Sequence, residues 1–358
     1  MMNFKWNTAI SATAVVACSL KIEQSEWLDE FSDEWRNPFL IIDSEVRRLW
    51  DSLLQSAIPS TSGLYVMEAR EVLKNTFTLS QIWESMSAAK IHRDTPVVVI
   101  GGGLVCDIGA MAASTYLRGL RLMIVPTTLL CMVDACLGGK TGVNLASAKN
   151  QVGTFNPADK ILIAPDFLDT LPEREFKSGI AEIIKTALIG DRSIQGLLER
   201  MDIENPDKNS ILKIIHKCLE VKGGIVTEDL RETGNRMLLN LGHTIGHALE
   251  SASEFQLSHG EAVGLGLLGE ATIAVTRGGN RNLPGEIRHM LKLAGLPTNV
   301  NDMVSQEKLS LLFERDKKTR RDGRIWALPF DWCDCRLTYF TPDQEEKVLP
   351  FVLSLLKV

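Results

Sequence analysis

The sequence predicts an α/β domain with a parallel sheet, followed by a mainly α-helical domain. Two observations support this prediction: short β-rich runs alternate with helical patterns up to about residue 175, and helical periods dominate from Ser178 onward. At 358 residues the chain is long enough for two domains, each with its own core. We therefore expect domains spanning 1–175 and 176–358, with the border close to Leu171 and Pro172.

Three runs in the first domain have the composition of buried strands that end in a polar residue or a glycine. They span residues 38–43, 95–101 and 122–126. Residues 9–20 form a further apolar run that suits a strand at a domain edge. A signal peptide is the alternative, but the run is short and polar residues interrupt it. Ligands collect at the carboxyl ends of parallel strands, so we expect a binding site there.

The second domain is predicted from helical periods at residues 193–201, 210–227, 238–253 and 262–277. The net charge of −6 argues against general nucleic-acid binding, and no apolar run reaches transmembrane length. Seven cysteines, an odd number scattered along the chain, indicate reduced thiols and a cytoplasmic protein rather than a disulfide framework.

A glycine-rich turn follows the strand predicted at 95–101. Gly101, Gly102 and Gly103 lead into a helical pattern of small residues. Glycine lets the backbone approach a diphosphate at a helix N-terminus, so the turn predicts nucleotide binding, with Asp43 as a candidate ribose ligand. The pattern departs from the usual dinucleotide fingerprint, and a tight turn without a ligand is the alternative.

Cations and hydroxyl groups then occur singly among glycines and apolar residues. Such a composition suits phosphate and carboxylate groups, whereas a solvated surface carries runs of charge. The candidate anion-binding residues are Arg118, Thr127, Thr128, Asp134, Lys140, Asn144, Lys149, Asn150, Lys222, Arg236, Lys317 and Lys318. The pair Lys317 and Lys318 would also pass as surface residues.

Three of the six histidines lie close together in the sequence, which packing alone does not require. His243 and His247 are one helical turn apart and share a face, and His259 follows in a Ser-His-Gly-Glu segment. A carboxylate is expected to complete a divalent metal site. Glu182 and Lys185 interrupt an apolar helical run and need buried partners there, so Glu182 is the candidate. For a single histidine, a core position at a helix contact would be the better interpretation.

Together these motifs resemble those of the 3-dehydroquinate synthases, within the wider group of sugar phosphate cyclases. The resemblance covers about residues 43–318 and is carried by residues 101–107, 115–119, 125–130, 138–144, 179–185, 236–247 and 259–261. It implies an N-terminal Rossmann-like NAD-binding domain, a helical metal- and substrate-binding domain, and an active site in the cleft. It also implies a cytoplasmic homodimer that binds a small sugar phosphate and neither nucleic acid nor a membrane.

The resemblance also implies roles for single residues. Glu182, His243 and His259 would bind one divalent metal, zinc or cobalt, whereas His247 and Glu232 would transfer protons. The residues that match substrate-site positions are Arg118, Asp134, Lys140, Asn150, Lys185, Lys222, Arg236, Asn240 and one or both of Lys317 and Lys318. The residues that match NAD-site positions are Asp43, Glu71, Lys74, Gly102, Gly103, Leu104, Asp107, Thr127, Thr128, Asp134, Lys149, Phe167 and Thr170.

The implied reaction converts 3-deoxy-D-arabino-heptulosonate 7-phosphate to 3-dehydroquinate and phosphate, a step of the shikimate pathway. NAD would be reduced and reoxidised in each turnover. Sister cyclases of the amino-dehydroquinate, valiolone or deoxy-inosose type are the nearest alternative, and a metal-dependent polyol dehydrogenase is a more distant one. The presence of both Asn240 and His247 argues against a valiolone-type enzyme, whose pattern lacks the pair. Cys106 and Ala148 depart from the family pattern, which has glycine at both positions.

Overall fold

The computed structural model describes residues 2–7, 12–17, 30–31, 33–58, 60–145, 148–254, 256–300, 304 and 323–348. The chain divides into two compact units, Met1–Pro172 and Glu173–Val358, called here the N-terminal and the C-terminal unit. Lys317 and Lys318, two of the candidate anion-binding residues, lie outside the described residues. Within the ranges given above, every helix is too short or too polar to span a membrane.

Nine strands lie in the described part of the N-terminal unit. They are β1 Met2–Asn7, β2 Ala12–Ala17, β3 Phe39–Asp43, β4 Gly63–Met67, β5 Val97–Gly101, β6 Leu122–Pro126, β7 Val143–Leu145, β8 Ala148–Val152 and β9 Lys160–Ile163. Strands β7 and β8 form a hairpin of their own, and the other seven form one sheet in the order β1-β2-β9-β6-β5-β3-β4. Strands β1 and β2 pair antiparallel, and all other neighbours in this sheet are parallel.

The predicted strands of the first domain agree with this sheet. The runs at 38–43, 95–101 and 122–126 contain β3, β5 and β6, and the run at 9–20 contains β2, next to the edge strand β1. β5 is an interior strand, and its residues are completely buried from Val97 to Ile100, because parallel strands are covered on both faces.

Three α-helices of the described residues accompany the sheet: α1 Ser44–Ala57, α2 Thr76–Ala88 and α3 Gly103–Thr115. α3 packs directly on β5. A Cβ atom at Gly109 would lie 2.7 Å from Cγ1 of Val99, so the helix can approach the strand this closely only with glycine at that position. This packing fixes the turn that joins β5 to α3.

The described part of the C-terminal unit is mainly helical, as predicted. Its helices are α4 Glu173–Ile189, α5 Ser193–Arg200, α6 Lys208–Glu228, α7 His243–Ala252, α8 His259–Thr276 and α9 Leu283–Leu293. A hairpin of β10 Arg324–Asp331 and β11 Asp334–Phe340 was not predicted from the sequence.

The helix predicted at 238–253 is wrong at its N-terminal end. Asn235–Asn240 forms a 3-10 helix, and α7 begins only at His243. The interruption lies at Gly242, whose φ of 79° is left-handed and cannot continue a right-handed helix. His243 is therefore the first residue of its helix rather than an interior one.

Candidate active site

The carboxyl ends of β3 and β5 form the first candidate site, in the N-terminal unit. β4 lies on one side of β3, while β5, β6 and β9 follow on the other, so the direction of the crossovers reverses between β3 and β5. Nucleotides bind at such a reversal in parallel α/β sheets. Asp43 ends β3, and the turn from Gly101 to Gly103 ends β5. The topology thus favours a nucleotide at the place where the sequence motif occurs.

Close packing shapes the glycine turn. A Cβ atom at Gly101 would lie 2.7 Å from Cβ of Val105, and one at Gly102 would lie 2.9 Å from Cγ2 of Thr128. Gly102 precedes α3 without a capping side-chain hydrogen bond. The start of α3 therefore presents backbone N–H groups and the positive end of the helix dipole, which favour an anionic group.

Asp43 has a structural role beside its predicted one. Its Oδ1 atom accepts hydrogen bonds from the backbone N–H groups of Glu45 at 2.8 Å and Val46 at 3.4 Å, which caps α1. Burial raises the pKa of Asp43, and the two backbone bonds oppose that rise.

A polar network joins five residues of the N-terminal unit. Lys74 is buried, and its Nζ lies 2.5 Å from Oδ2 of Asp107 and 2.6 Å from Oδ1 of Asn150. Nδ2 of Asn144 donates to Oε1 of Glu71 at 2.8 Å, while its Oδ1 accepts from the backbone N–H of Asn150 at 2.9 Å. Four of these residues come from the predicted NAD and substrate sets, so the fold brings residues distant in sequence together around Lys74.

Two predicted NAD-site residues contact Trp50. Nε1 of Trp50 donates to Oγ1 of Thr170 at 2.8 Å, and its ring packs edge-on against Phe167 with a centroid distance of 5.1 Å. The remaining predicted residues of this unit differ in exposure: Thr127 is buried; Leu104, Thr128 and Asp134 are half-buried; Arg118, Lys140 and Lys149 are exposed.

A cluster of titratable side chains in the C-terminal unit forms the second candidate site. Glu182 and Lys185 on α4 are 1% and 2% exposed, which confirms that both point inward. Oε2 of Glu182 lies 2.6 Å from Nζ of Lys185. Oε1 lies 3.2 Å from Nε2 of His259 and 3.5 Å from Nε2 of His243. One carboxylate thus faces two imidazoles and an ammonium group.

These residues fit a divalent metal ion. The ligand atoms of Glu182, His243 and His259 lie within 4.8 Å of one another, and a carboxylate with two imidazoles is a donor set that zinc accepts. Nδ1 of His243 lies 3.0 Å from the carbonyl oxygen of Leu241, which directs Nε2 toward Glu182.

The two imidazoles have opposite pKa shifts. Burial lowers the pKa of His243 to about 3, which keeps this imidazole neutral as metal binding requires. Burial also acts to lower the pKa of His259, but the bonds to Glu182 and Glu250 outweigh it and raise the pKa to about 9. A bound cation would remove the reason for that protonation, because it would take the place of the proton beside Glu182.

His247 lies next to this triad and is more exposed than its members. Its ring centroid is 5.2 Å from that of His243 and 6.0 Å from that of His259. With Glu250 and His259 it forms a second group of close ligand atoms. Nδ1 of His259 lies 3.8 Å from Oε2 of Glu250, so His259 has a carboxylate on each side of its ring.

The segment between α6 and α7 is tightly turned and contains three further predicted residues, Glu232, Arg236 and Asn240. Asp229 accepts backbone hydrogen bonds from Thr233, Gly234 and Arg236 at 3.0, 2.7 and 3.1 Å. Nδ2 of Asn240 donates to Oε1 of Glu232 at 2.7 Å.

Two further predicted cations in this unit are buried, in addition to Lys185. Arg236 is 2% exposed and donates from Nη1 to the carbonyl oxygen of Leu230, while Lys222 on α6 is 8% exposed. Burial of a charged group requires polar or ionic partners, and such groups cluster at functional sites.

Comparison with known proteins places this geometry in a family. Residues 64–178 match the family model described as 3-dehydroquinate synthase N-terminal, and residues 179–319 match the one described as 3-dehydroquinate synthase C-terminal. The 3-dehydroquinate synthase of Legionella pneumophila (strain Lens) is 37% identical over 316 residues, covering 86% of this chain and 85% of that protein. The chain belongs to the 3-dehydroquinate synthase family.

A second curated family member gives the same result. The 3-dehydroquinate synthase of Prochlorococcus marinus (strain NATL1A) is 37% identical over 295 residues, which are 80% of each protein.

Solved structures of related cyclases have the same fold as this family member. A 2-epi-5-epi-valiolone synthase from Streptomyces hygroscopicus subsp. jinggangensis 5008, with NAD+ and Zn2+ bound, has a TM-score of 0.83 and 28% identity over 95% of this chain and 96% of its own. A 2-deoxy-scyllo-inosose synthase complexed with carbaglucose-6-phosphate, NAD+ and Co2+ has a TM-score of 0.84, covering 97% and 99% of the two chains. At 22% identity, the second likeness shows the fold alone.

Sequence reasoning missed the supporting role of four residues in these two sites of the dehydroquinate synthase fold. For Asn144 it predicted only anion binding, although this residue links Glu71 to the backbone of Asn150. Asp229, Glu250 and Glu270 were not considered. The pattern Asp-x-x-x-Thr-Gly could have identified Asp229 as a turn residue, since aspartate accepts from backbone N–H groups a few residues ahead.

Proposed function

We propose that the chain converts 3-deoxy-D-arabino-heptulosonate 7-phosphate to 3-dehydroquinate and phosphate. The observation that carries the proposal is the meeting of Glu182, His243 and His259, with His247 beside them, in a member of this family. An elimination of phosphate near a carbonyl group needs a divalent metal and a group that transfers protons. This cluster supplies donors for one metal, with a histidine beside them that is suited to proton transfer.

Each unit supplies its own part of the machinery. Glu182, His243 and His259 would hold zinc or cobalt, and the turn from Gly101 to Gly103 would receive the diphosphate of NAD. When bound, NAD accepts a hydride from the substrate and returns it, while the metal polarises a carbonyl oxygen. The N-terminal unit is accordingly assigned to NAD and the C-terminal unit to the metal, near the predicted ranges 1–175 and 176–358.

His247 and Glu232 are assigned to proton transfer. His247 is exposed and close to the rings of His243 and His259, so it can exchange protons with a ligand bound at the metal. Glu232 accepts a hydrogen bond from Asn240, which fixes the direction of its carboxylate.

The cations of the C-terminal unit are assigned to the carboxylate and phosphate of the substrate. Lys185, Lys222 and Arg236 are all buried, and charge-assisted hydrogen bonds from such groups to anions are strong. Arg236 is the preferred partner of the carboxylate, because its planar guanidinium can bind two oxygens at once. Arg118, Lys140 and Asn150 retain the substrate role implied by the resemblance, and the protein is expected to act as a cytoplasmic homodimer.

The test is phosphate release from a panel of sugar phosphates in the presence of NAD. The heptulosonate should be the best substrate, and sedoheptulose 7-phosphate, which has no carboxylate, should react poorly. Faster release from sedoheptulose 7-phosphate would replace the proposal with a sister-cyclase activity. Steady accumulation of NADH during turnover would instead support a polyol dehydrogenase, because the proposed reaction has no net redox change.

A further inference from the structure

Glu270 is a completely buried acidic residue on α8 that the proposed reaction does not use. An acidic group without polar partners is costly to bury, so its partners indicate what it does. Oε2 of Glu270 accepts a hydrogen bond from the backbone N–H of Gly242 at 2.5 Å, and Oε1 accepts one from Ile245 at 3.5 Å. Both partners belong to the start of α7, so Glu270 caps a helix other than its own.

The start of α7 needs such an acceptor from elsewhere. The first N–H groups of a helix have no partners within the helix and are usually satisfied by the side chain of the residue before it. In α7 that residue is Gly242, which has no side chain and a φ of 79°. The carboxyl group of Glu270 takes the place of the missing cap.

The backbones of α7 and α8 are in direct contact at this point. A Cβ atom at Gly266 would lie 1.9 Å from the carbonyl oxygen of Gly242, and one at Gly246 would lie 3.0 Å from that of Ala262. Gly266 and Glu270 are one turn apart on the same face of α8. Gly266 allows the backbone of α7 to approach closely, and Glu270 accepts hydrogen bonds from it.

His243 directly follows Gly242, so this contact fixes the backbone that carries one of the proposed metal ligands. We infer that Glu270 is a positioning residue for the metal site, because its carboxyl group holds the first turn of α7 so that Nε2 of His243 faces Glu182. The inference rests on the proposed role of His243 as a ligand. It requires no contact between Glu270 and the metal.

The test compares two variants of Glu270 with a matched control. Glu270→Met removes both acceptor oxygens, and Glu270→Gln keeps one. Glu345→Gln is the control: Glu345 is also a buried glutamate of this unit, but its bonds go to Trp326 and Arg324 on β10. For each protein, the affinity for Co2+ is measured by competition with a chelator, together with the visible absorption spectrum of bound Co2+ and the melting temperature.

Loss of a group that orients a metal ligand lowers metal affinity by roughly 10–100-fold. We expect a loss of that size in Glu270→Met, a smaller one in Glu270→Gln, and an altered Co2+ spectrum in both. Glu345→Gln should melt at a lower temperature but bind Co2+ with the wild-type affinity and spectrum.

Wild-type affinity and spectrum in the Glu270 variants would overturn the inference while leaving the proposed function intact. If Glu270→Met does not fold, Glu270→Gln alone decides. A wild-type protein that binds no Co2+ would overturn the inference and the proposed metal site together.

Discussion

Two helices of the C-terminal unit begin with a histidine of the proposed metal site, yet their first turns are held in different ways. α8 begins at His259 and has a capping box of its own: Oγ of Ser258 accepts from the N–H of Glu261, and Oε2 of Glu261 accepts from the N–H of Ser258 at 2.7 Å. α7 begins at His243 after Gly242 and takes its acceptor from Glu270 on the other helix. The first arrangement is local in sequence, and the second depends on tertiary packing.

The two arrangements also differ in their exposure to water. Glu261 is half-buried and forms an ion pair with the exposed Arg174, whereas Glu270 is completely buried. An exposed polar group that loses its hydrogen-bond partner can bond to water instead, whereas a buried group cannot. Substitutions at the start of α7 should therefore lower the free energy of unfolding more than equivalent substitutions at the start of α8.

The largest expected effect comes from removing the residue that both histidines face. Glu182→Ala should abolish metal binding and reduce phosphate release to background, because Oε1 is near the Nε2 atoms of both His243 and His259. It should also destabilise the protein by about 3–5 kcal/mol, since Lys185 loses a buried partner. Metal content after dialysis and urea unfolding are the measurements. Glu175→Ala, an exposed change on the same helix, is the control, and retained metal in Glu182→Ala would contradict the assignment.

Gly242→Ala tests the first turn of α7, which the carboxyl group of Glu270 caps. Alanine at a φ of 79° is strained, and its Cβ would lie 2.8 Å from Cδ2 of Leu267. We expect a destabilisation of about 2–5 kcal/mol from strain and overpacking combined. Gly285→Ala in α9 has nothing within 4 Å of the new Cβ and should stabilise slightly. Equal stability of the two variants in urea would argue against a constrained start of α7.

Glu270 should also give the protein a pH dependence of opposite sign to that of the local cap, where the bonds from Arg174 and Ser258 outweigh burial and lower the pKa of Glu261. Burial raises the pKa of Glu270 to about 8 from 4.5, although the backbone N–H bonds of Gly242, Ile245 and Thr244 oppose the rise. Between these two values the folded state keeps a proton that the unfolded state has lost, so this group makes stability fall as pH rises.

The stability of the metal-free wild type, relative to Glu270→Gln, should therefore fall by up to about 1.4 kcal/mol per pH unit within that window. Urea unfolding of both proteins at several pH values measures the difference. A difference that stayed constant with pH would show that the carboxyl group does not titrate there.

The smallest effect is expected at the start of α8. Ser258→Ala removes the side-chain acceptor of the capping box and should cost about 1 kcal/mol, and Ser258→Gly should cost less. Co2+ affinity should change by less than threefold, because Glu261 remains bonded to Arg174 and keeps the turn in place. A loss of Co2+ affinity as large as that expected for Glu270→Met would remove the distinction between the two helices.

Much of the fold could be predicted, because its signals are local. A few neighbouring residues are enough to predict the apolar runs of β3, β5 and β6 as strands and the glycines after β5 as a turn. The burial of Glu182 and Lys185 followed from the apolar residues around them.

The remaining features depend on contacts between distant residues. Lys74 meets Asp107 and Asn150, and Glu270 meets Gly242, only after the chain has folded. Glu270 is the one charged residue in the apolar run 262–276, so its burial was predictable by the argument used for Glu182, but its partner Gly242 was not. The late start of α7 was missed for a related reason, since the hydrophobic period continues through Gly242 while the backbone does not.

The most direct test of the central claim is a titration of the chelator-treated protein with Zn2+ or Co2+, with NAD and the heptulosonate 7-phosphate present. The residues Glu182, His243 and His259 describe one metal site per chain. Phosphate release should therefore be absent without metal, rise in proportion to added metal, and level off at one equivalent. Full phosphate release from metal-free protein, or wild-type activation of a Glu182→Ala protein, would contradict the account.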